Sequence, residues 1–189
     1  MAWLFLIANL WFPEDADPHR FEIDPTHYFI SFTVRHFSVG MVRAGFNKVT
    51  GGMRYDENDL SRFELKITVD AASIYTNHKE RDVGLASPYW LDAAKFPEIT
   101  FVSKSLVKEG EGFRVTGDFT MKGITQEISF PVAINGPAAD PLGLTRVGFL
   151  ANFTVNRQDY GMPFDRLMKD GGPFVGNELH VEVLIEAIR

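Results

Sequence analysis

The sequence predicts an all-β protein, an eight-stranded antiparallel barrel with a short helical insert between the third and fourth strands. Three observations carry that reading. From residue 28 onward apolar residues recur with a period of two, the mark of strands with one buried face, in eight separate segments. Only one stretch, near residues 77–96, carries helix-capping punctuation. Eight amphipathic strands pack economically as a two-sheet sandwich or a closed barrel, and closure removes the edges that a lone sheet would expose, so the barrel is preferred.

The first segment sets Tyr28, Ile30, Phe32, Val34 and His36 on one face and Phe29, Ser31, Thr33 and Arg35 on the other. Asp24-Pro25-Thr26-His27 reads as an Asx-type turn leading into it. After a turn at Gly40, Val42, Ala44 and Phe46 make the second segment. Phe63, Leu65, Ile67 and Val69 form the third, and Ile99, Phe101 and Ser103 the fourth. The insert between them opens at Asn77-His78-Lys79-Glu80, where Asn77 caps the first turn and Glu80 reaches back to it. Ser87-Pro88 offers a second cap with proline at the first helical position, and the turn that ends at Phe96 stops before Pro97.

Phe113, Val115, Gly117, Phe119 and Met121 make the fifth segment, and Ile128, Phe130, Val132 and Ile134 the sixth. Lys122-Gly123 between them reads as a tight hairpin turn, which makes the pair antiparallel. Val147, Phe149, Ala151, Phe153 and Val155 form the seventh, and Leu179, Val181, Val183, Ile185 and Ala187 the eighth. The segment from Asn156 to Asn177, rich in glycine and proline, is longer than a connector has to be, and long loops of this kind often guard an opening.

The chain of 189 residues suits one domain with its own core, and 45% hydrophobic with 23% charged residues places it among globular proteins. A net charge of −6 with no basic stretch argues against nucleic acid as a partner. With no cysteine, thiol catalysis, disulfide scaffolds, iron–sulfur clusters and cysteine-rich zinc sites are excluded. His19, His27, His36, His78 and His180 share no metal-ligand spacing, so no metal is expected, and nucleophile-elbow, phosphate-loop and dinucleotide motifs are absent. The unusual figure is 17 Phe, with 5 Tyr and 3 Trp. These rings either fill a core or line a void, and an eight-stranded barrel is just wide enough for either.

Residues 1–20 stand apart from the domain expected at 21–189. Met1 to Phe12 is apolar but shorter than the roughly 20 residues that span a bilayer. It reads as the apolar part of a secretory leader without its basic start, or as an ordered arm in which Trp3, Leu4, Phe5, Ile7, Leu10 and Trp11 offer a homodimer or membrane-contact surface. Residues 13–20 read as a polar linker.

If the phenylalanine faces look inward, Phe32, Val34, Phe46, Phe101, Phe119, Phe149 and Phe153 line the interior, with His36 as its polar exception. His36 is then either a satisfied buried histidine or a donor to a ligand's polar head. Arg81, beside Asp82, either fixes the insert by an ion pair or meets a head group at the mouth, and Arg157 in Asn156-Arg157-Gln158-Asp159 offers the same choice.

Asp24-x-x-His27, Phe32-x-Val34-x-His36, Ser73-Ile74-x-Thr76, Arg81-Asp82-x-x-Leu85, Phe96-Pro97-x-Ile99-x-Phe101, Gly117-x-Phe119-Thr120-x-Lys122-Gly123-Ile124-Thr125, Asn156-Arg157-x-Asp159-Tyr160-Gly161 and Val175-Gly176 together resemble the YceI-like family of polyisoprenoid-binding proteins. The resemblance covers residues 21–189. It implies a lipocalin-like barrel whose apolar tunnel carries or shields a polyprenyl or quinone-like lipid, with no other cofactor and no chemistry of its own. It also implies export to the periplasm, the cytoplasm being the alternative, and it adds Trp90 of the insert to the ligand-binding set. Three positions depart from the family pattern: Gly84, where a histidine is frequent, Tyr89-Trp90 in place of two phenylalanines, and Ala44, where glycine is common. Two other functions stay open, an enzyme acting on an isoprenoid with His36 and Asp159 as acid and base, and a stress-related structural protein with a packed barrel.

Overall fold

The structure is a computed structural model that describes residues 17–189. The apolar run at residues 1–12, and with it the leader, arm, dimer and membrane-contact readings, lies outside the described residues. Ten strands form one sheet: β1 Arg20–His36, β2 Gly40–Phe46, β3 Val49–Arg54, β4 Glu64–Asp70, β5 Ile74–Tyr75, β6 Glu98–Glu109, β7 Gly112–Met121, β8 Ile124–Ala139, β9 Thr145–Asn156 and β10 Glu178–Ile188. The helix α1, Lys79–Ala86, sits between β5 and β6.

Neighbouring strands pair antiparallel, and β10 returns to pair with β1, so the sheet closes. The two strands that period-two reading missed do not alter the barrel. β2 and β3 both run along β1, and β4 and β5 pair with β3 and β2 in turn, so each couple acts as one stave. Eight staves result, as expected: β1, β2 with β3, β4 with β5, and β6 to β10.

β1 begins earlier than its alternation suggested. Its pairing with β10 shifts register between Ile23 and Tyr28, and Asp24 Oδ1 accepts the Thr26 amide across the bulge at 2.9 Å. The expected Asx turn therefore lies inside a long strand rather than ahead of it. Asp17, within the stretch expected to be a linker, accepts from Arg54 Nε at 2.7 Å and ties the entry of the chain to β3. At Lys122-Gly123 both residues have positive φ, and Met121 pairs with Ile124, as the two-residue hairpin requires.

Two details of the insert differ from expectation. His78, not Asn77, caps α1: its Nδ1 accepts the Arg81 amide at 3.4 Å, while Asn77 is left-handed at φ 62° one residue before it. Ser87-Pro88 starts no second helix, because Ser87 already ends the first. The chain beyond it folds back through Leu91 and Ala93 amides onto the Leu85 and Ala86 carbonyls.

The barrel is filled unevenly. Toward the end that carries the β3–β4, β6–β7 and β8–β9 loops, Phe21, Met53, Tyr55, Leu65, Val115 and Val147 are buried in a packed layer. Toward the other end the inward side chains leave a hollow.

Candidate functional site

The hollow is a cavity of about 350 Å³, within the range of small-ligand pockets. All eleven residues singled out from the sequence border it. Phe32 and Val34 of β1, Phe46 of β2, Phe101 of β6, Phe119 of β7 and Phe149 with Phe153 of β9 make its walls. His36, Arg81, Trp90 and Arg157 stand at its rim. None of the packed layer, from Phe21 to Val147, touches it, so the hollow is a blind pocket open toward one end rather than the tunnel the resemblance implied.

Local sequence explains several wall positions. Gly117 lies under Phe101: a Cβ there would stand 2.6 Å from the ring's Cζ and 2.4 Å from the Val102 carbonyl oxygen, so only glycine lets that ring lie flat against β7. Phe130, which shares the inward face of its strand, was not among the expected lining residues; it stacks on Phe153 with centroids 4.2 Å apart. Alternation had already marked it. Met162 and Val175 also border the cavity; Val175 belongs to the Val175-Gly176 motif, but no periodicity marked either as lining, since an irregular loop has no period to betray its inner side.

Four connections meet over the open end. The Phe96 ring packs where a Cβ of Gly123 would be, and Lys122 Nζ donates to the Gly161 carbonyl at 2.9 Å, so the insert, the β7–β8 turn and the β9–β10 loop are tied together. Rings continue the roof: Trp90 stacks on Phe164, Phe164 meets Phe174 at 6.1 Å, and Phe174 meets Phe37 edge-on at 4.2 Å. His36 packs against Phe37 at 3.7 Å and Phe174 at 6.2 Å. No described hydrogen bond or ion pair joins it to Asp159, the partner expected under the enzymatic alternative.

The two arginines do different work. Arg157 is 1% exposed. Its Nε donates to the Gly176 carbonyl at 2.9 Å, its Nη2 to the Phe164 carbonyl at 2.7 Å and to Asn177 Oδ1 at 2.6 Å, and its Nη1 to the Met162 carbonyl. It is a clamp for the β9–β10 loop, and burial pulls its pKa down although the Asp165 charge opposes this. Beside it, burial and then the Asp159 charge push the Tyr160 phenol up to about 12. Arg81 and Asp82 make no ion pair with each other; they share Thr76, whose Oγ1 accepts from Arg81 Nε at 2.8 Å and donates to Asp82 Oδ1 at 2.6 Å.

At the far end, among the described residues, Asp24, His27 and Glu186 bring possible ligand atoms within 4.8 Å of one another. The Arg146 guanidinium already lies among them, with Nη1 2.7 Å from Asp24 Oδ2 and 3.0 Å from Glu186 Oε2.

A closed antiparallel barrel of this kind also occurs in known proteins. The family model described as the YceI-like domain matches residues 21–187. The chain belongs to the YceI-like family. Protein YceI of Salmonella newport is 32% identical over 164 residues, covering 85% of this chain and 86% of its own. Among solved structures, BcnA of Burkholderia cenocepacia matches with a TM-score of 0.75 at 21% identity, over 87% of this chain and 99% of that one. A polyisoprenoid binding domain from Saccharophagus degradans, implicated in plant cell wall breakdown, matches with a TM-score of 0.69 at 14% identity, over 88% of this chain and 97% of its own.

Within this YceI-like fold Ala44, Gly84 and Trp90, among the departures, border the cavity, while Tyr89 is exposed. Ala44 is buried in the wall, Trp90 belongs to the roof, and a Cβ at Gly84 would meet nothing within 4 Å. Gly84 leaves a gap at the rim that a side chain would narrow.

Proposed function

We propose that the chain binds a polyprenyl or quinone-like lipid tail-first in the blind pocket and carries or shields it without acting on it chemically. The observation that supports this most is the distribution of polarity: the walls are mainly phenylalanine and aliphatic side chains, interrupted by Ser31 and Thr100, and the ionisable groups His36, Arg81 and Arg157 stand at the rim. A branched hydrocarbon placed there gains roughly 0.8 kcal/mol for each methylene removed from water, enough for its tail alone to hold it. A head group would stay at the rim beside His36 and Arg81. The relative from Saccharophagus degradans, a polyisoprenoid binding domain by description, supports the same ligand class.

The hollow half of the barrel speaks against the fully packed structural protein. Among the described residues His36 packs against Phe37 and Phe174 and forms no ion pair with a carboxylate, which favours binding over acid–base chemistry. We place the carrier in the periplasm on the family resemblance alone.

The experiment is native mass spectrometry of gently purified protein, followed by titration with a short-chain prenol in detergent. An added mass of lipid size, or saturable prenol uptake, is the expected result. A chain that stays empty and takes up neither prenols nor quinones overturns the reading. Replacing His36 by Phe should leave most of the tail affinity intact.

A further inference from the structure

The pocket has one open end, so the question is what surface that end meets. The exposed large apolar side chains of the described residues are distributed unequally. Val39, Met41, Val83, Tyr89, Ile124 and Leu167 all project from the mouth side, whereas toward the closed end only Val107, near the end of β6, and Leu142 are exposed. Val39 is 89% and Leu167 62% exposed. They stand on loops that touch: Phe37 donates its amide to the Phe174 carbonyl at 3.0 Å, Leu167 pairs with Pro173, and a Cβ at Gly172 would lie 2.9 Å from Ser38 Oγ.

Charge follows the same division. The mouth connections, residues 35–41, 76–97, 121–125 and 156–177, hold eight Lys and Arg against six Asp and Glu. Their counterparts at the closed end, residues 17–20, 55–63, 109–112 and 139–145, hold two against seven. An acidic chain therefore carries its positive pole around the cavity mouth. Such a molecule is turned by the field of an anionic surface so that the mouth faces it.

We infer that the mouth is a docking surface for an anionic lipid bilayer, with Val39 and Leu167 as its inserted tips. Separate aliphatic tips on several loops suit a deformable interface, where each one sinks among the acyl chains, better than the flat contiguous patch that a protein partner needs. Basic side chains such as Arg166 and Lys169, on the same loop as Leu167, then lie at the level of the phosphates. Docked in this way, the pocket opens into the hydrocarbon, and a lipid passes between membrane and barrel without crossing water. The proposal rests on reading the pocket as a lipid site for its purpose, while its observations are independent of the ligand.

The test uses the full chain and vesicles of phosphatidylcholine alone or in equimolar mixture with phosphatidylglycerol. Because the chain has no cysteine, an environment-sensitive fluorophore can be placed singly through Val39→Cys, Leu167→Cys or, at the closed end, Leu142→Cys. The expected result is a blue shift for the first two labels on the anionic vesicles, none for the third, and weakening by added salt. The double variant Val39→Ser with Leu167→Ser should partition about tenfold more weakly, with its circular dichroism unchanged because both positions are exposed. The inference is overturned if the Val39 and Leu167 labels do not shift, or if the double variant binds vesicles like the parent, which would assign any membrane affinity to other residues. A chain that takes up prenol from detergent but ignores vesicles loses only the docking surface. One that docks through these tips yet takes up no prenol loses only the ligand.

Discussion

Trp90 of the insert stacks on Phe164 of the β9–β10 loop, with ring centroids 5.2 Å apart and planes 28° from parallel. The Arg157 guanidinium lies 5.5 Å from the same indole ring. The roof of the pocket is thus fastened by ring contacts, each worth about 0.5–1.5 kcal/mol, and not by covalent links. That is weak enough for thermal opening and strong enough to slow it. Trp90→Ala or Phe164→Ala should release a bound fluorescent prenol about tenfold faster while the barrel stays folded. Stopped-flow transfer to excess detergent measures this, and an unchanged rate would place the gate elsewhere.

Arg157 holds the same roof from below. Removing the guanidinium leaves the half-buried carbonyls of Phe164 and Gly176 without that donor and takes one of two donors from the Met162 carbonyl, so Arg157→Met should cost about 2–3 kcal/mol. Arg157→Lys should restore little, since one ammonium cannot serve carbonyls on both sides of a planar fork. Urea unfolding gives the loss. Hydrogen exchange should rise first within residues 162–177, and uniform loosening of the barrel would contradict the clamp.

How far the fold could be read in advance depended on whether a residue's neighbours lay along the chain or across it. Phe101 and Phe119 fall on the period-two face of their strands and lie opposite each other in β6 and β7, where that period put them. β3 shows no clear alternation, because Gly51 and Gly52 carry no side chains to mark a face. In the structure Gly51 has φ 138°, and a Cβ there would be only 2.0 Å from the Lys66 carbonyl oxygen, so its glycine serves close strand contact. β5, two residues long, is too short for any period. At the rim, nothing local distinguished Arg157, buried on carbonyls, from Arg81, shared with Thr76. That difference is made by Gly176 and Asn177, about twenty residues downstream.

Gly84 offers a test of the rim alone. It lies inside α1, where glycine costs about 1 kcal/mol relative to alanine, and a Cβ would meet nothing within 4 Å. Gly84→Ala should therefore raise stability by about 0.5–1 kcal/mol with no effect on prenol uptake. Gly84→Phe should keep the fold and slow uptake by narrowing the gap. Equal uptake rates for both variants would show that lipid enters past another side of the mouth.

The far end of the barrel makes a prediction about acid. Asp24 is buried in the β1 bulge, which by itself raises its pKa. Thr26, Arg146 and His27 outweigh that effect: Thr26 Oγ1 donates at 2.7 Å, Arg146 Nη1 at 2.7 Å, and His27 Nδ1 lies 2.8 Å away, so the carboxyl is held well below the usual range. A carboxylate with a depressed folded pKa contributes stability that is fully present above its unfolded value near 3.9 and is lost as pH falls through the folded value. Unfolding free energy should thus fall steeply from about pH 4 downward, with Asp24 responsible for roughly 2 kcal/mol of the drop. Asp24→Asn should be less stable than the parent at neutral pH by a similar amount, and the difference should shrink toward acid. Urea titrations across that range decide it: parallel acid limbs for parent and variant would mean that this carboxylate, for all its partners, does not hold β1 to Arg146.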